Sequence, residues 1–324
     1  MQPKLIIHGG AGGALQHPEA ANTIRQALRA IVQQTYARLQ AGDAASVVAC
    51  YGARQLESHP LFNAGYGSVL QTDGQIRMSA ALMNGSTQTF SGIINVSKVE
   101  HPIDMAAGLQ TETDRVLSDH GATERARELQ LPLFDPITDL RLQEWLSARQ
   151  GNFSSTSATV VAEAMEQPEP EQPVKPLNDN ARRGTVGIVV RDQQGCIATA
   201  TSTGGKGLER IGRVSDSAMP AGTYATAVAG VSCTGIGEDI IDQCLAARLV
   251  VRVTDGLTLA AALNKSFSEG AEQQRDFGAI AIDHTGTIGW GKTSDVLLAA
   301  YHTGEHIGDT LALPLGLQTG CVNV

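Results

Sequence analysis

The sequence predicts an α/β sandwich in which two β-sheets stack face to face and helices cover both outer sides, an αββα order of layers. Three observations lead there. Apolar runs joined by short turn signals recur in both halves of the chain, as strands of hairpins do. Each half also holds a pair of one-faced helical segments in series, and such helices need a sheet to lie on. Composition is that of a soluble globular chain, with 42% hydrophobic and 18% charged residues over 324 positions, long enough for a sizeable core.

Taken in order, Lys4–His8 reads as a short buried strand, and Gly9–Gly13 lets the backbone turn sharply beneath it. Ile24, Leu28, Ile31, Val32, Tyr36 and Leu39 fall at helical spacing, with Gly42 closing the helix as its C′ residue. Asp43 is the expected N-cap of a second helix reaching about Leu56. Residues 76–100 offer two strands turning at Asn84-Gly85, and residues 103–150 carry helical pieces, one around Trp145. Residues 166–181 are rich in Pro, Glu, Gln and Asn with little to bury, a linker signal. Val186–Val190 and Cys196–Ala200 then form a hairpin around Asp192-Gln193-Gln194-Gly195. Val228–Cys233 is a further strand, residues 238–252 and 257–272 are the second helix pair, and residues 277–288 close with a hairpin like 184–197.

Several function classes are disfavoured. Net charge is −9 and no Lys/Arg cluster exceeds Arg182-Arg183, so nucleic acid and anionic membranes are not expected partners. Gly9–Gly13 lacks both the GK[ST] ending and the G-x-G-x-x-G spacing of nucleotide-binding loops. Eight histidines show no HExxH and no Cys/His quartet, so no zinc site is expected; His17, His120, His302 and His306 read as solvated surface residues. Ser232 misses the G-x-S-x-G elbow by one residue. The five cysteines lack CxxC spacing; Cys50, Cys196 and Cys244 sit in apolar runs as small core residues. No signal-like segment opens the chain, and a reduced, cytoplasmic location is expected.

The most informative stretch is Arg182-Arg183-Gly184-Thr185-Val186-Gly187, where a linker runs directly into a buried strand. A threonine hydroxyl is a poor nucleophile without a base within reach. Cutting the Gly184–Thr185 bond would create an α-amine on the same residue, with a pKa of about 7.7–8.0. Before the cut that nitrogen is an amide and cannot take a proton. The plain alternative is a linker followed by an ordinary strand. A turn at 192–195 brings Thr185 opposite 202–203, within reach of the Thr203 hydroxyl; Thr201 reads as structural.

The surrounding motifs are His8-Gly9-Gly10-Ala11-Gly12, Pro60-Leu61-Phe62-Asn63-Ala64-Gly65, Gly184-Thr185-Val186-Gly187, Thr201–Gly205, Gly212-Arg213-Val214 with Asp216-Ser217, and Val231–Gly235. In that order they resemble the plant-type (type III) L-asparaginase and isoaspartyl peptidase family of N-terminal-nucleophile (Ntn) hydrolases. The resemblance implies the αββα Ntn-hydrolase fold, formed jointly by chains 1–184 and 185–324 after autocleavage, with residues 151–184 as the linker. Both chains would belong to one domain, and two such αβ units would pair.

It further implies Thr185 as nucleophile, Thr203 as its orienting partner, and Thr234 with Gly235 as oxyanion donors. Asn63 belongs to the nucleophile's environment. Arg213 would take the substrate's α-carboxylate and Asp216 its α-ammonium, with Gly237 and Thr234 in the same pocket. An Arg213–Asp216 salt bridge within the loop is the competing reading. Main-chain carbonyls of Leu56, Glu57, His59, Phe62, Ala64 and Tyr66 would cage a structural sodium ion, against a loop packed without one. No cofactor is expected for catalysis. The implied substrates are L-asparagine and β-aspartyl dipeptides; a glycosylasparaginase-like amidase and an uncut amino-acid-binding protein stay as alternatives. The chain departs from the family pattern at Ser79, Asn84, His101, Ser215 and Ile236, which puts local packing and pocket shape in question.

Overall fold

The computed structural model describes residues 1–15, 18–150 and 184–323. The predicted linker, Arg182-Arg183 and His17 therefore lie outside the described residues.

Thirteen strands among the described residues form two sheets. The larger has eight, built on β1 (Lys4–Gly12), β2 (Met78–Asn84), β3 (Thr89–Val96), β4 (Val116–Ser118), β5 (Val186–Arg191), β6 (Ile197–Thr203), β11 (Val296–His302) and β12 (Ile307–Asp309). Their spatial order is β12-β11-β1-β5-β6-β2-β3-β4. The smaller has five: β7 (Thr223–Ala225), β8 (Ala229–Gly235), β9 (Phe277–Asp283), β10 (Ile288–Lys292) and β13 (Gln318–Val322), in the order β13-β10-β9-β8-β7. Strands from before and after residue 184 thus interleave in one sheet, with β5 and β6 set between β1 and β2.

Three apolar clusters define the layers. On the outer face of the large sheet, Leu5, Ile7, Val186, Ile188 and Val190 pack with Leu28, Val32, Val48 and Ala49 of α1 (Pro18–Gln40) and α2 (Ala45–Glu57). Between the sheets lie Ile6, Val189, Ile197, Ile280, Ile282 and Trp290. Beyond the small sheet, Val231, Cys233, Ala279 and Ala281 meet Leu249, Leu263 and Phe267. Strand alternation sorts these sets, since successive side chains face opposite sides. The order is helix, sheet, sheet, helix. Helices α3 (Pro102–Gly108), α4 (Asp119–Glu128) and α5 (Asp139–Gln150) flank the first layer.

Five local expectations are corrected. The glycine run after His8 continues β1 through a bulge between His8 and Ala11, so it bends a strand and does not end one. Asp43 does not cap α2; it pairs with Arg38 at 2.6 Å. The Ala45 amide instead donates to Asp192 Oδ2 at 3.0 Å, a cap supplied by the β5–β6 turn. Residues 238–252 are two helices, α6 (Gly237–Gln243) and α7 (Leu245–Thr254), broken at Cys244 in a left-handed conformation. The Ala246 and Ala247 amides donate to the carbonyls of Ala221 and Pro220, bonds a continuous helix would not allow. Against the core reading of the cysteines, Cys244 is exposed at this break and Cys50 and Cys196 are half-buried, while Cys233 is the buried thiol. Last, His302 is 8% exposed and stacks on Tyr36 at 3.5 Å, so it belongs to the α1 interface and not to the surface.

The departures at Ser79 and His101 find partners. Ser79 Oγ accepts the Asn95 amide at 3.1 Å beside a bulge, and His101 Nδ1 lies 3.2 Å from Glu57 Oε2. Helix α8 (Leu259–Glu272) completes the second helical layer, capped by Thr258. No helix among the described residues is long and apolar enough to cross a membrane.

Candidate active site

Thr185 precedes β5 at the centre of the large sheet and is 7% exposed. Its Oγ1 donates to Thr203 Oγ1 at 3.2 Å, and Thr203 Oγ1 in turn accepts the Gly205 amide at 3.1 Å. The hairpin register delivers this contact: Val186 pairs with Ser202, so the next position back faces Thr203. Gly184 lies against the β1 bulge, where a Cβ would stand 2.7 Å from Ala11 N. The residue before Thr185 must therefore be small. In the continuous chain the Thr185 nitrogen is an amide, and its carbonyl accepts Thr234 Oγ1 at 3.2 Å across the gap between the sheets.

Thr234 is followed by Gly235, the last residue of β8, whose φ of +126° suits glycine alone. A side chain there would also approach Asp276 O within 2.8 Å. Asn63 is latched to the turn after Thr203: its Nδ2 donates to Gly205 O at 2.6 Å and its carbonyl accepts the Gly204 amide at 3.0 Å.

Arg213 and Asp216 are brought together, but not as an ion pair with each other. Arg213 Nε and Nη2 donate to Glu238 at 3.2 and 3.1 Å, and Lys206 approaches the same carboxylate at 3.3 Å. Asp216 is 2% exposed and its Oδ2 has no hydrogen-bond partner. Burial pushes its carboxyl up to about 7, against the pull of Arg213. Gly237 sits between the two: a Cβ on it would stand 2.8 Å from Asp216 Oδ1 and overlap Arg213 Nη2. Ser215 has φ −85° and ψ 163°, ordinary extended geometry, so this loop does not require glycine there. Ile236 is 47% exposed at the rim.

In the loop after α2, Glu57 O accepts the Tyr66 amide at 2.7 Å, Leu56 O accepts His59 and His59 O accepts Phe62. Gly67 has φ +121°, and a Cβ there would lie 2.7 Å from Phe62 O and 2.8 Å from Pro60 O. Carbonyl oxygens thus pack close to Gly67, and three of the six predicted carbonyls, those of Leu56, Glu57 and His59, already accept backbone amides. Among the described residues no cluster of three or more His, Cys, Asp or Glu side chains could hold a metal.

Two features escaped the sequence reading. Glu57, singled out only for its carbonyl, is fully buried; its Oε1 accepts Ser202 Oγ at 2.6 Å and the Ile103 amide at 3.1 Å. Its partner Ser202 adjoins Thr203 but points to the helical side. In the sequence Glu238 reads only as the start of a helix. Its place one residue after Gly237, facing Arg213, was the available signal.

Two stacked sheets between helical layers, with a buried threonine hydroxyl just before a central strand, are consistent with the Ntn hydrolase class. The family model described as asparaginase matches residues 1–312. The chain is 56% identical over 323 residues to an isoaspartyl peptidase/L-asparaginase of Nostoc sp., covering 100% of this chain and 99% of that protein. It is 33% identical over 301 residues to a plant-type L-asparaginase of Pyrococcus horikoshii, covering 92% and 95%. It is 34% identical over 319 residues to an isoaspartyl peptidase of Salmonella typhimurium, covering 94% and 96%. The chain belongs to the asparaginase family and is a hydrolase.

Proposed function

We propose that the protein hydrolyses L-asparagine to L-aspartate and ammonia, and cleaves β-aspartyl dipeptides, after cutting itself between Gly184 and Thr185. Chains 1–184 and 185–324 then remain interleaved in one αββα domain. The observation that carries this reading is the Thr185–Thr203 hydroxyl contact at 3.2 Å, directly after a glycine packed on the β1 bulge.

In the mature enzyme Thr185 Oγ1 attacks the side-chain carbonyl of the substrate and its proton passes to the new α-amine. The C–N bond breaks, and the leaving ammonia or amino acid takes that proton. Water then cleaves the β-aspartyl ester, restoring the hydroxyl and releasing aspartate. Thr203 holds the Thr185 oxygen in line, and Asn63 steadies the turn behind Thr203. The oxyanion is met by the Gly235 amide and the Thr234 hydroxyl; losing one such donor typically costs about 2.7–4 kcal/mol. Thr234 has one O–H, given to Thr185 O in the continuous chain, so it must turn toward the substrate to serve. Arg213, braced by Glu238, receives the α-carboxylate; Asp216 receives the α-ammonium, with Gly237 leaving room between them.

Carbonyls of Leu56, Glu57, His59, Phe62, Ala64 and Tyr66 would hold a sodium ion that stiffens the loop bearing Asn63; it has no part in the bond-breaking steps. Pairing of two αβ units and a cytoplasmic setting, in keeping with five free thiols, belong to the same proposal.

Intact-mass and N-terminal sequencing of purified protein, with ammonia release from asparagine, test the reading. Two fragments with a new N-terminal Thr185 are expected. Thr185→Ala should stay whole and inactive, and Thr185→Ser should retain some processing. Full activity in an uncut chain would overturn it.

A further inference from the structure

The three threonines of the site have a second polar layer beneath them, one strand repeat deeper. Side chains on one face of a strand recur every second residue. Two residues from Thr185 on β5 is Gly187, two from Thr203 on β6 is Thr201, and two from Thr234 on β8 is Ser232. His8 of β1 stands beside Gly187 in the register. Ser232 Oγ lies 2.7 Å from Thr201 Oγ1 and 2.9 Å from His8 Nε2, so one hydrogen-bonded chain joins β1, β6 and β8 across both sheets. All three side chains have 0% exposure. Below them the space between the sheets is mainly apolar, with Ile6, Val189 and Ile280, and the Thr199 hydroxyl there is given to the carbonyls of Ile188 and Val231.

Gly187 makes the layer sterically possible. A Cβ on it would overlap Ser232 Oγ and His8 Nε2. The second glycine of Gly184-Thr185-Val186-Gly187 is thus explained by the hydroxyl and imidazole that occupy the place of a side chain. Burial holds His8 down to about 3, partly offset by the nearby Thr185 main chain, so the ring is neutral at working pH. Its Nδ1 has no hydrogen-bond partner. A neutral imidazole and two hydroxyls can each donate and accept, which lets the chain close without a net charge in a dry interior.

We propose that His8, Thr201 and Ser232 are positioning residues, setting the spacing between the strands that carry Thr185, Thr203 and Thr234. Hydrogen bonds prescribe separation and direction, whereas the apolar contacts below them tolerate sliding. A misplacement near 1 Å at a reacting centre can cost about 100-fold in rate. The layer acts through the threonines above it and touches no substrate. This inference rests on Thr185 being the nucleophile.

The test compares Thr201→Val, Thr201→Ser and Ser232→Ala in the full chain, following the time course of cleavage and the kcat and KM for asparagine. Valine keeps the shape of threonine and puts a methyl group in place of the hydroxyl. Thr201→Val and Ser232→Ala are expected to lower kcat at least about tenfold, with KM within about twofold and slower cleavage. Thr201→Ser, which keeps the hydroxyl, restores most of kcat. Should Ser232→Ala fail to fold, the valine and serine variants decide alone. Unchanged kcat in Thr201→Val, or equal loss in Thr201→Val and Thr201→Ser, overturns the proposal. Thr185→Ala run alongside separates the two readings: turnover there defeats the nucleophile, whereas a dead Thr185→Ala beside a fully active Thr201→Val defeats only the positioning layer.

Discussion

Glu57 and Asp216 are both carboxyls withdrawn from water, at 0% and 2% exposure, and burial raises both above the ordinary carboxylate range. Their surroundings differ. Glu57 has Ser202, the Ile103 amide and His101 around its two oxygens. Asp216 keeps an oxygen without a partner, and its neighbour Arg213 gives two of its donors to Glu238. A buried charge whose bonds are filled from within the chain holds that chain together. One left short is expensive unless something from outside completes it. Glu57 therefore ties the end of α2 to β6 and α3 behind Thr203, and Asp216 is left short of a partner, as its proposed role toward the α-ammonium of the substrate requires.

That contrast is open to experiment. The largest effect is expected from Asp216→Asn, which should raise KM for asparagine about 100-fold, from the roughly 2–5 kcal/mol typical of truncating one partner of a buried charge pair. The cut at Thr185 should proceed normally, and a KM within a few-fold of wild type would remove Asp216 from the pocket. Glu57→Ala should do the reverse: stability falls by about 3 kcal/mol, read by urea unfolding of the uncut Thr185→Ala chain, while KM of the folded enzyme stays within a few-fold. A stable Glu57→Ala protein with crippled KM would erase the distinction.

A smaller effect follows from pH. An unfolded aspartate titrates near 3.9, so between about pH 4 and about pH 7 the folded chain holds a proton on Asp216 that the unfolded chain lacks. The stability this supplies is complete below about pH 4 and is lost as pH rises through about 7. Asp216→Asn should accordingly raise the Tm of ligand-free protein at pH 8, and the difference should close by pH 4. Binding runs the other way, because the substrate's ammonium needs an ionised partner. KM for asparagine should rise as pH falls below about 7 in the wild type and stay flat in the variant. Smallest of all, Ser215→Gly should cost no more than about 0.5–1 kcal/mol and leave KM within twofold, since Ser215 already has an extended conformation open to any residue.

Much of the architecture is legible in the sequence. The hairpin around Asp192 appears as read, and the likeness between the segments at 184–197 and 277–288 has a cause. Asp192 Oδ1 accepts two amides of its turn, Gln194 and Cys196, and Asp283 Oδ1 accepts Thr285 and Thr287. The proximity of Thr185 and Thr203 followed from turn length alone. Misreadings occurred where a distant segment supplied the deciding bond. Asp192 takes the capping role expected of Asp43, and carbonyls at 220–221 split the helix expected over 238–252. The Arg213–Asp216 bridge, the competing reading of that loop, is not formed, because Arg213 pairs with Glu238, 25 residues away.

By itself the sequence determined what depends on neighbours along the chain. Periodicity set which strand faces are apolar, Gly235 marked where the backbone is approached closely, and Thr185 stood where a cut would unite hydroxyl and amine. Only the tertiary structure decided which buried polar groups find each other: Glu57 with Ser202 and His101, Arg213 with Glu238, and His8 with Ser232 and Thr201. The physical reason is that a hydrogen bond requires position and direction to within fractions of an ångström, and for groups on separate strands those are set only when the sheets stack.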